Sequence, residues 1–248
     1  MLAVFGWANA AGGTRAWPGL AACSSALDFA MFNSAALTAP VDTPAALNER
    51  IETAAAWYAS KKLPWSLWMC QDWLDKPLRP KAADACYRYG MHLVVELPGM
   101  EADGLAPPER PLPALDFRRV ADAPTRSAFT HVMTAAFGIS PAFSRPIYES
   151  EKTWSGAFTG WVAYAKDAVV ATAATLIAGG VIGVYAVGTL PHHQRQGYGE
   201  AVMRHALAHS RAESGLERSV LESSAAGFHL YQRMGYRTIT RYSVFASG

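Results

Sequence analysis

The sequence predicts a mixed α+β fold in two domains, and three observations carry that prediction. Residues 115–245 alternate between β-rich apolar runs and stretches whose apolar residues recur at helical spacing. A Gly-containing turn, Gln194-Arg195-Gln196-Gly197-Tyr198-Gly199, stands between a strand-like run and a helix-like one. Pro107, Pro108, Pro111 and Pro113 crowd one short segment. Proline fixes φ and cannot donate to a ladder or a helix, so that segment reads as a linker. It divides the chain into domains at 1–106 and 114–248, of ~105 and ~135 residues, both ordinary domain sizes.

Taken in order, residues 32–38 read as a strand. Residues 43–60 read as a helix, with Thr43 as N-cap and Pro44 at the first helical position. A strand at 65–70, a helix at 81–89 and a strand at 92–96 follow. Beyond the linker, 115–120 is a short strand and 124–137 a helix. Residues 161–165 and 169–177 are two strands broken by Lys166-Asp167, as a hairpin requires. Gly179-Gly180 turns the chain into a third strand, 181–187. The Gly-containing loop leads into a helix at 200–212, where Val202, Ala206 and Leu207 share a face and Gly215 supplies a left-handed cap. A strand around 220–221, a helix at 225–234 closed by Gly235, and a strand at 237–245 complete the order. The N-terminal half partly repeats this plan. Ala85-Cys86-Tyr87-Arg88-Tyr89-Gly90-Met91 lies over Leu230-Tyr231-Gln232-Arg233-Met234-Gly235-Tyr236, with Arg and Gly shared and a strand following in both.

Composition narrows the function classes. Apolar residues make up 51% of the chain and charged residues 17%, which suits a packed globular protein and excludes disorder. A net charge of +2 is too small for a nucleic-acid binder. No apolar run reaches the length of a membrane span. Residues 1–7 lack a basic flank and read as part of the fold, not as a signal peptide. Cys23, Cys70 and Cys86 are odd in number and widely spaced, without a CxxC or neighbouring His cluster. They form neither a disulfide framework nor a metal site, and a cytoplasmic location is the expectation.

The loop at 194–199 is the chemical focus. The first N–H groups of a helix have no internal partner and sit at the positive end of its dipole. Glycines there let a diphosphate approach the backbone. By spacing alone, a plain strand-to-helix connection would serve as well.

That segment resembles the signature of the GNAT superfamily of N-acyltransferases, Gln/Arg-x-x-Gly-x-Gly/Ala. Val187-Gly188-Thr189-Leu190-Pro191 resembles the strand end that leads into it. Residues 221–236 resemble the family's second signature, with Leu230-Tyr231, then three residues, then Gly235 and Tyr236. The likeness covers 115–248 well and 1–105 as a degenerate copy. It implies an acetyl-CoA cosubstrate and no metal. Val187, Gly188 and Thr189 would hold the pantetheine arm by their backbone. Gln194, Arg195, Gln196, Gly197, Tyr198, Gly199 and Glu200 would hold the pyrophosphate, and Ser224 would touch the cofactor. Tyr231 matches the Tyr that protonates the departing thiolate, a task suited to a phenol that stays protonated near neutral pH.

The general base stays open. The third strand carries no acid, Glu222 is the only carboxylate near the second site, and Tyr185 or a water chain would serve equally. His192 and His193 read as loop residues and His229 as packing or surface. The N-terminal copy has no Gly-rich loop before its helix at Thr43 and has Cys86 where the second copy has Tyr231, so it is expected not to bind CoA. The implied reaction is direct transfer of an acetyl group to a primary amine of a small molecule or peptide in a ternary complex, by a monomer or homodimer. A CoA-binding regulatory module without catalysis is the alternative.

Overall fold

Strands and helices alternate along the chain, and the sheet that results is mixed, with helices against it. The computed structural model describes residues 2–9 and 11–247. In chain order the elements are α1 (Leu2–Ala8), β1 (Gly13–Trp17), β2 (Leu20–Ser24), β3 (Ser34–Leu37), α2 (Pro44–Lys61), β4 (Ser66–Cys70), α3 (Ala82–Tyr87) and β5 (Met91–Ala102). They continue as β6 (Asp116–Arg119), α4 (Ala123–Phe137), α5 (Pro141–Tyr148), β7 (Phe158–Ala165), β8 (Ala168–Ala178) and β9 (Val181–Thr189). The last are α6 (Tyr198–Ser214), β10 (Ser219–Glu222), α7 (Phe228–Arg233) and β11 (Arg237–Ser247). Two units result. One is Leu2–Gly99 with the chain from Thr238 onward, and the other is Met100–Arg237, which includes the Pro-rich segment.

In the first unit the strand order is β1-β2-β3-β4-β11-β5. Strands β1/β2, β2/β3 and β4/β11 run antiparallel, and β3/β4 parallel. Helix α2 starts where Thr43 Oγ1 accepts the Ala46 N–H at 3.2 Å, with Pro44 at its first position. It buries Leu47, Ile51, Ala54 and Tyr58, one face at helical spacing. Cys86 is buried in the same core, and burial pushes its thiol up to about 12. Such a thiol packs as a small apolar group and does not react.

In the second unit the order is β5-β10-β9-β8-β7-β6. The strands β6 to β9 are antiparallel neighbours, and β10 joins β9 in parallel. Asp122 and Thr125 form a reciprocal capping box at the start of α4. Helix α6 buries Val202, Met203, Ala206 and Leu207 in the core beside Ile182 and Val184, and Gly215 ends it at φ 70°.

The elements α1, β1, β2 and α5 are absent from the sequence reading, and α7 comes out shorter than expected. The β1/β2 hairpin turns at Pro18-Gly19. Helix α1 precedes it. Helix α5 carries Pro141 and Pro146, yet forms because Ser140 caps it and Pro141 needs no donor at the first turn. Helix α7 is shorter than the predicted 225–234, because Ser224 turns the chain before it by accepting the Gly227 and Phe228 N–H groups on its carbonyl. Among the described residues no helix is long and apolar enough to cross a membrane, and no cluster of His, Cys, Asp and Glu is arranged to hold a metal.

Candidate active site

The site begins where two parallel strands part. Strand β10 pairs with β9 at Ser219↔Ile182 and Val220↔Gly183, and the register goes no further. On its other side β9 stays paired with β8 as far as Thr189↔Ala171. The backbone of Val187, Gly188 and Thr189 therefore lies beyond the last β10 pair. A bulge marks the parting. The β8/β9 register shifts between Thr172 and Ala174, Ala186 takes φ 53°, and Thr172 Oγ1 donates to the Ala186 carbonyl at 3.0 Å. Gly188 has a packing role: a Cβ there would stand 3.1–3.3 Å from Phe137, Ala136 and Val132 of α4.

The chain then makes a 3₁₀ turn at Pro191–His193 and enters the loop. Arg195 at φ 62° and Gly197 at φ 84° both adopt left-handed backbone, an arrangement that turns successive N–H groups to one side. Among the described residues no acceptor meets the N–H groups of residues 195–200, whereas the Ala201 N–H reaches the Gly197 carbonyl at 3.0 Å. These amides, at the start of a 17-residue helix, make an arrangement that suits an anion, a candidate cradle. A diphosphate fits the donor set.

The two loop glycines serve different ends. A Cβ at Gly199 would lie 3.0 Å from Thr189 Oγ1, so glycine lets the first turn of α6 sit against the end of β9. A Cβ at Gly197 would meet Pro113 Cδ at 3.3 Å. Its open face is turned to the Pro-rich segment, with Arg110 Nη2 4.0 Å from the same point, and its φ disfavours any branched side chain. Gly197→Val is therefore expected to distort the cradle and weaken acetyl-CoA binding at least ~10-fold, about 1.4 kcal/mol. Calorimetry on the folded variant checks it, and unchanged affinity would take the loop out of the site. The Glu200 carboxylate is engaged by Arg204 at 2.8 Å, so only its N–H is open on this side of the helix start.

The second signature folds around Tyr231. Its ring lies over Gly227, where a Cβ would come 2.7 Å from the ring, and packs in one core with Ile182, Val184 and Leu221. Burial, with a smaller contribution from Tyr236, pushes the phenol up to about 12. Glu222 ends β10, one residue past Leu221. It is half-buried as a residue, yet its carboxyl is crowded enough that burial raises it above the ordinary carboxylate range, against a smaller opposing effect of its own backbone N–H. Ser224 is exposed, and its Oγ accepts the Gly227 N–H at 3.3 Å, so it helps start α7. The Tyr185 ring covers Gly183 along β9. His192 and His229 are exposed, and His229 Nδ1 lies 3.3 Å from Gln232 Oε1. Gln194 and Gln196 are exposed on the loop.

Two residues near the cradle go unsignalled by sequence. Arg110 Nη2 reaches the Arg195 carbonyl at 3.5 Å, and Pro113 sits on Gly197. Their proline content marks a linker and says nothing of where it lies.

Residues 157–238 match the family model described as an acetyltransferase (GNAT) domain. The chain is similar to a GCN5-related N-acetyltransferase from Kribbella flavida, at 23% identity and a TM-score of 0.69 over 92% of this chain and 86% of that one. A GCN5-related N-acetyltransferase from Sphaerobacter thermophilus matches at 14% identity and a TM-score of 0.57, over 92% of this chain and 76% of that one. A tandem GNAT protein from the clavulanic acid biosynthesis pathway matches at 13% and 0.55, over 97% and 84%. A search of curated proteins finds no match.

Proposed function

From a chain that has the GNAT fold and carries a GNAT acetyltransferase domain, and hence from acyl transfer as its chemistry, we propose an N-acetyltransferase that moves an acetyl group from acetyl-CoA directly to a primary amine. The open amides of residues 195–200, following the β9 edge where β10 has parted, are the observation that carries this reading. In it, the amides of Arg195 to Glu200 hold the diphosphate, and the backbone of Val187, Gly188 and Thr189 holds the pantetheine arm.

Acetyl-CoA supplies the thioester carbonyl: the amine nitrogen forms the new C–N bond as the C–S bond breaks. Glu222 accepts the proton that the attacking amine sheds, since a carboxylate raised toward neutrality is a stronger base than an ordinary one. Tyr231 faces a different demand. A phenol at about 12 is a far weaker acid than a thiol near ~8.5, so complete proton transfer to a thiolate is uphill. Its hydroxyl acts as a hydrogen-bond donor to the developing sulfur anion, with the final proton coming from solvent. Ser224 adds a polar contact at the mouth.

The first unit is, in this reading, a GNAT-like copy that does not take CoA. Pro44 lacks an N–H and the Ala46 N–H is already held by Thr43, so the start of α2 offers little to a phosphate. The acceptor is a small-molecule or peptide amine.

The test pairs calorimetry of acetyl-CoA binding to the full chain with thiol release across a panel of primary amines. Saturable binding and release that depends on amine are expected. Binding without release for any amine would favour a regulatory CoA-binding module. A burst of about one thiol per chain without amine would signal a covalent acyl-enzyme, and direct transfer would fall.

A further inference from the structure

The Pro-rich segment is fixed at several points within the unit that holds the cradle. The Ala106 N–H donates to the Met234 carbonyl at 2.9 Å, beside the end of α7. Glu109 pairs with Arg233 at 3.5 Å, Arg110 reaches the Arg195 carbonyl, and Pro113 lies on Gly197. A proline-rich stretch is stiff before it is held, so little order has to be imposed to keep it there.

Glu109, Arg110, Glu200 and Arg233 line a cavity of about 280 Å³ next to the open amides. Its charges are not equally engaged. Glu200 is bound by Arg204, and Glu109 and Arg233 face each other. Arg110 alone of the four has no carboxylate partner among the described residues, and its one hydrogen bond is long, at 3.5 Å to a carbonyl. A guanidinium left free beside a row of unpaired amides suits an anion with several oxygens, which it grips bidentately.

Resting on the acetyl-CoA reading above, we propose that Arg110 binds the 3′-phosphate of CoA, so that the Pro-rich segment is itself part of the cosubstrate site. The amides of residues 195–200 hold the diphosphate, and Arg110 reads the phosphate monoester that distinguishes CoA from its dephosphorylated form. The segment is thereby a specificity element and not a tether alone.

Calorimetry with CoA and with 3′-dephospho-CoA, on wild type, Arg110→Ala and Arg110→Lys, tests this. Wild type should prefer CoA by about tenfold or more. Arg110→Ala should erase that preference by weakening CoA while leaving dephospho-CoA within about twofold of wild type, and Arg110→Lys should restore part of it. Arg110 is exposed, so the variants should fold, and matching thermal melts establish it. Equal loss of both ligands in Arg110→Ala would place the guanidinium on the diphosphate and overturn the assignment while CoA binding stands. An unchanged preference would overturn it also. Wild type that binds neither ligand would sink this proposal together with the function it rests on.

Discussion

Replacing Tyr231 by Phe should lower kcat by about 10²-fold or more while the acetyl-CoA Kd scarcely moves. The change deletes one hydroxyl and keeps the ring that packs with Ile182, Val184 and Leu221, so the core stays filled. A donor aimed at charge that appears as the C–S bond breaks is worth most in the transition state, and its loss shows in kcat. Because burial holds the phenol at about 12, the hydroxyl remains a donor throughout the neutral and mildly alkaline range. No basic limb assignable to Tyr231 should therefore appear below about pH 10. Steady-state kinetics and a binding isotherm on one preparation separate the possibilities. Full kcat in a folded variant would return Tyr231 to the core as a packing residue, and a parallel weakening of Kd would make it a positioning residue.

Glu222→Gln should cost a similar factor, about 10²-fold in kcat/KM near neutral pH, and should also remove a limb of the pH profile. Burial raises the carboxyl, so wild-type activity should rise with pH through a value above the ordinary ~4.3 of a glutamate. Glutamine cannot titrate, and the limb should vanish. Stability gives an independent sign. A carboxyl whose folded pKa lies above its unfolded one binds protons more tightly when folded, so its contribution is complete at low pH and is lost as pH rises through the folded value. At pH 8 the wild type keeps an unfavourable buried charge that the variant lacks. The Gln variant should therefore be slower yet melt no lower, and packing effects are controlled by repeating the melt at pH 4, where the two should converge. An unchanged pH profile would take the base role away from Glu222 and leave it to Tyr185 or water.

The resemblance of 187–199 and 221–236 to two family signatures places the loop, α6, the splayed strand and Tyr231 in the order the structure shows. That legibility has a local cause. A phosphate loop depends on backbone N–H groups, left-handed residues and a helix start within a dozen positions, all of which neighbouring residues dictate. The capped helix at Thr43 and the hairpin broken at Lys166-Asp167 are legible for the same reason.

Other features depend on contacts distant in sequence. Helix α5 and the β1/β2 hairpin are absent from the sequence reading, since the first carries Pro146 inside it and the second is held by strand pairing. The last strand has an apolar pattern that suits any sheet edge, and its place beside β4 is settled by pairing at Tyr242↔Cys70 and Phe245↔Leu67. Gly197 reads as making room for a diphosphate, yet Pro113 lies across that side. The sequence by itself determined the mixed fold, and its resemblance to two family signatures singled out the loop at 194–199, Glu222 and Tyr231 as candidates, because turns, caps and motifs are short-range features. Only the tertiary structure decided that the final strand pairs with β4, how burial shifts Glu222 and Tyr231, and that Arg110 stands beside Arg195. Those depend on which surfaces the folded chain removes from water, and no local pattern encodes that.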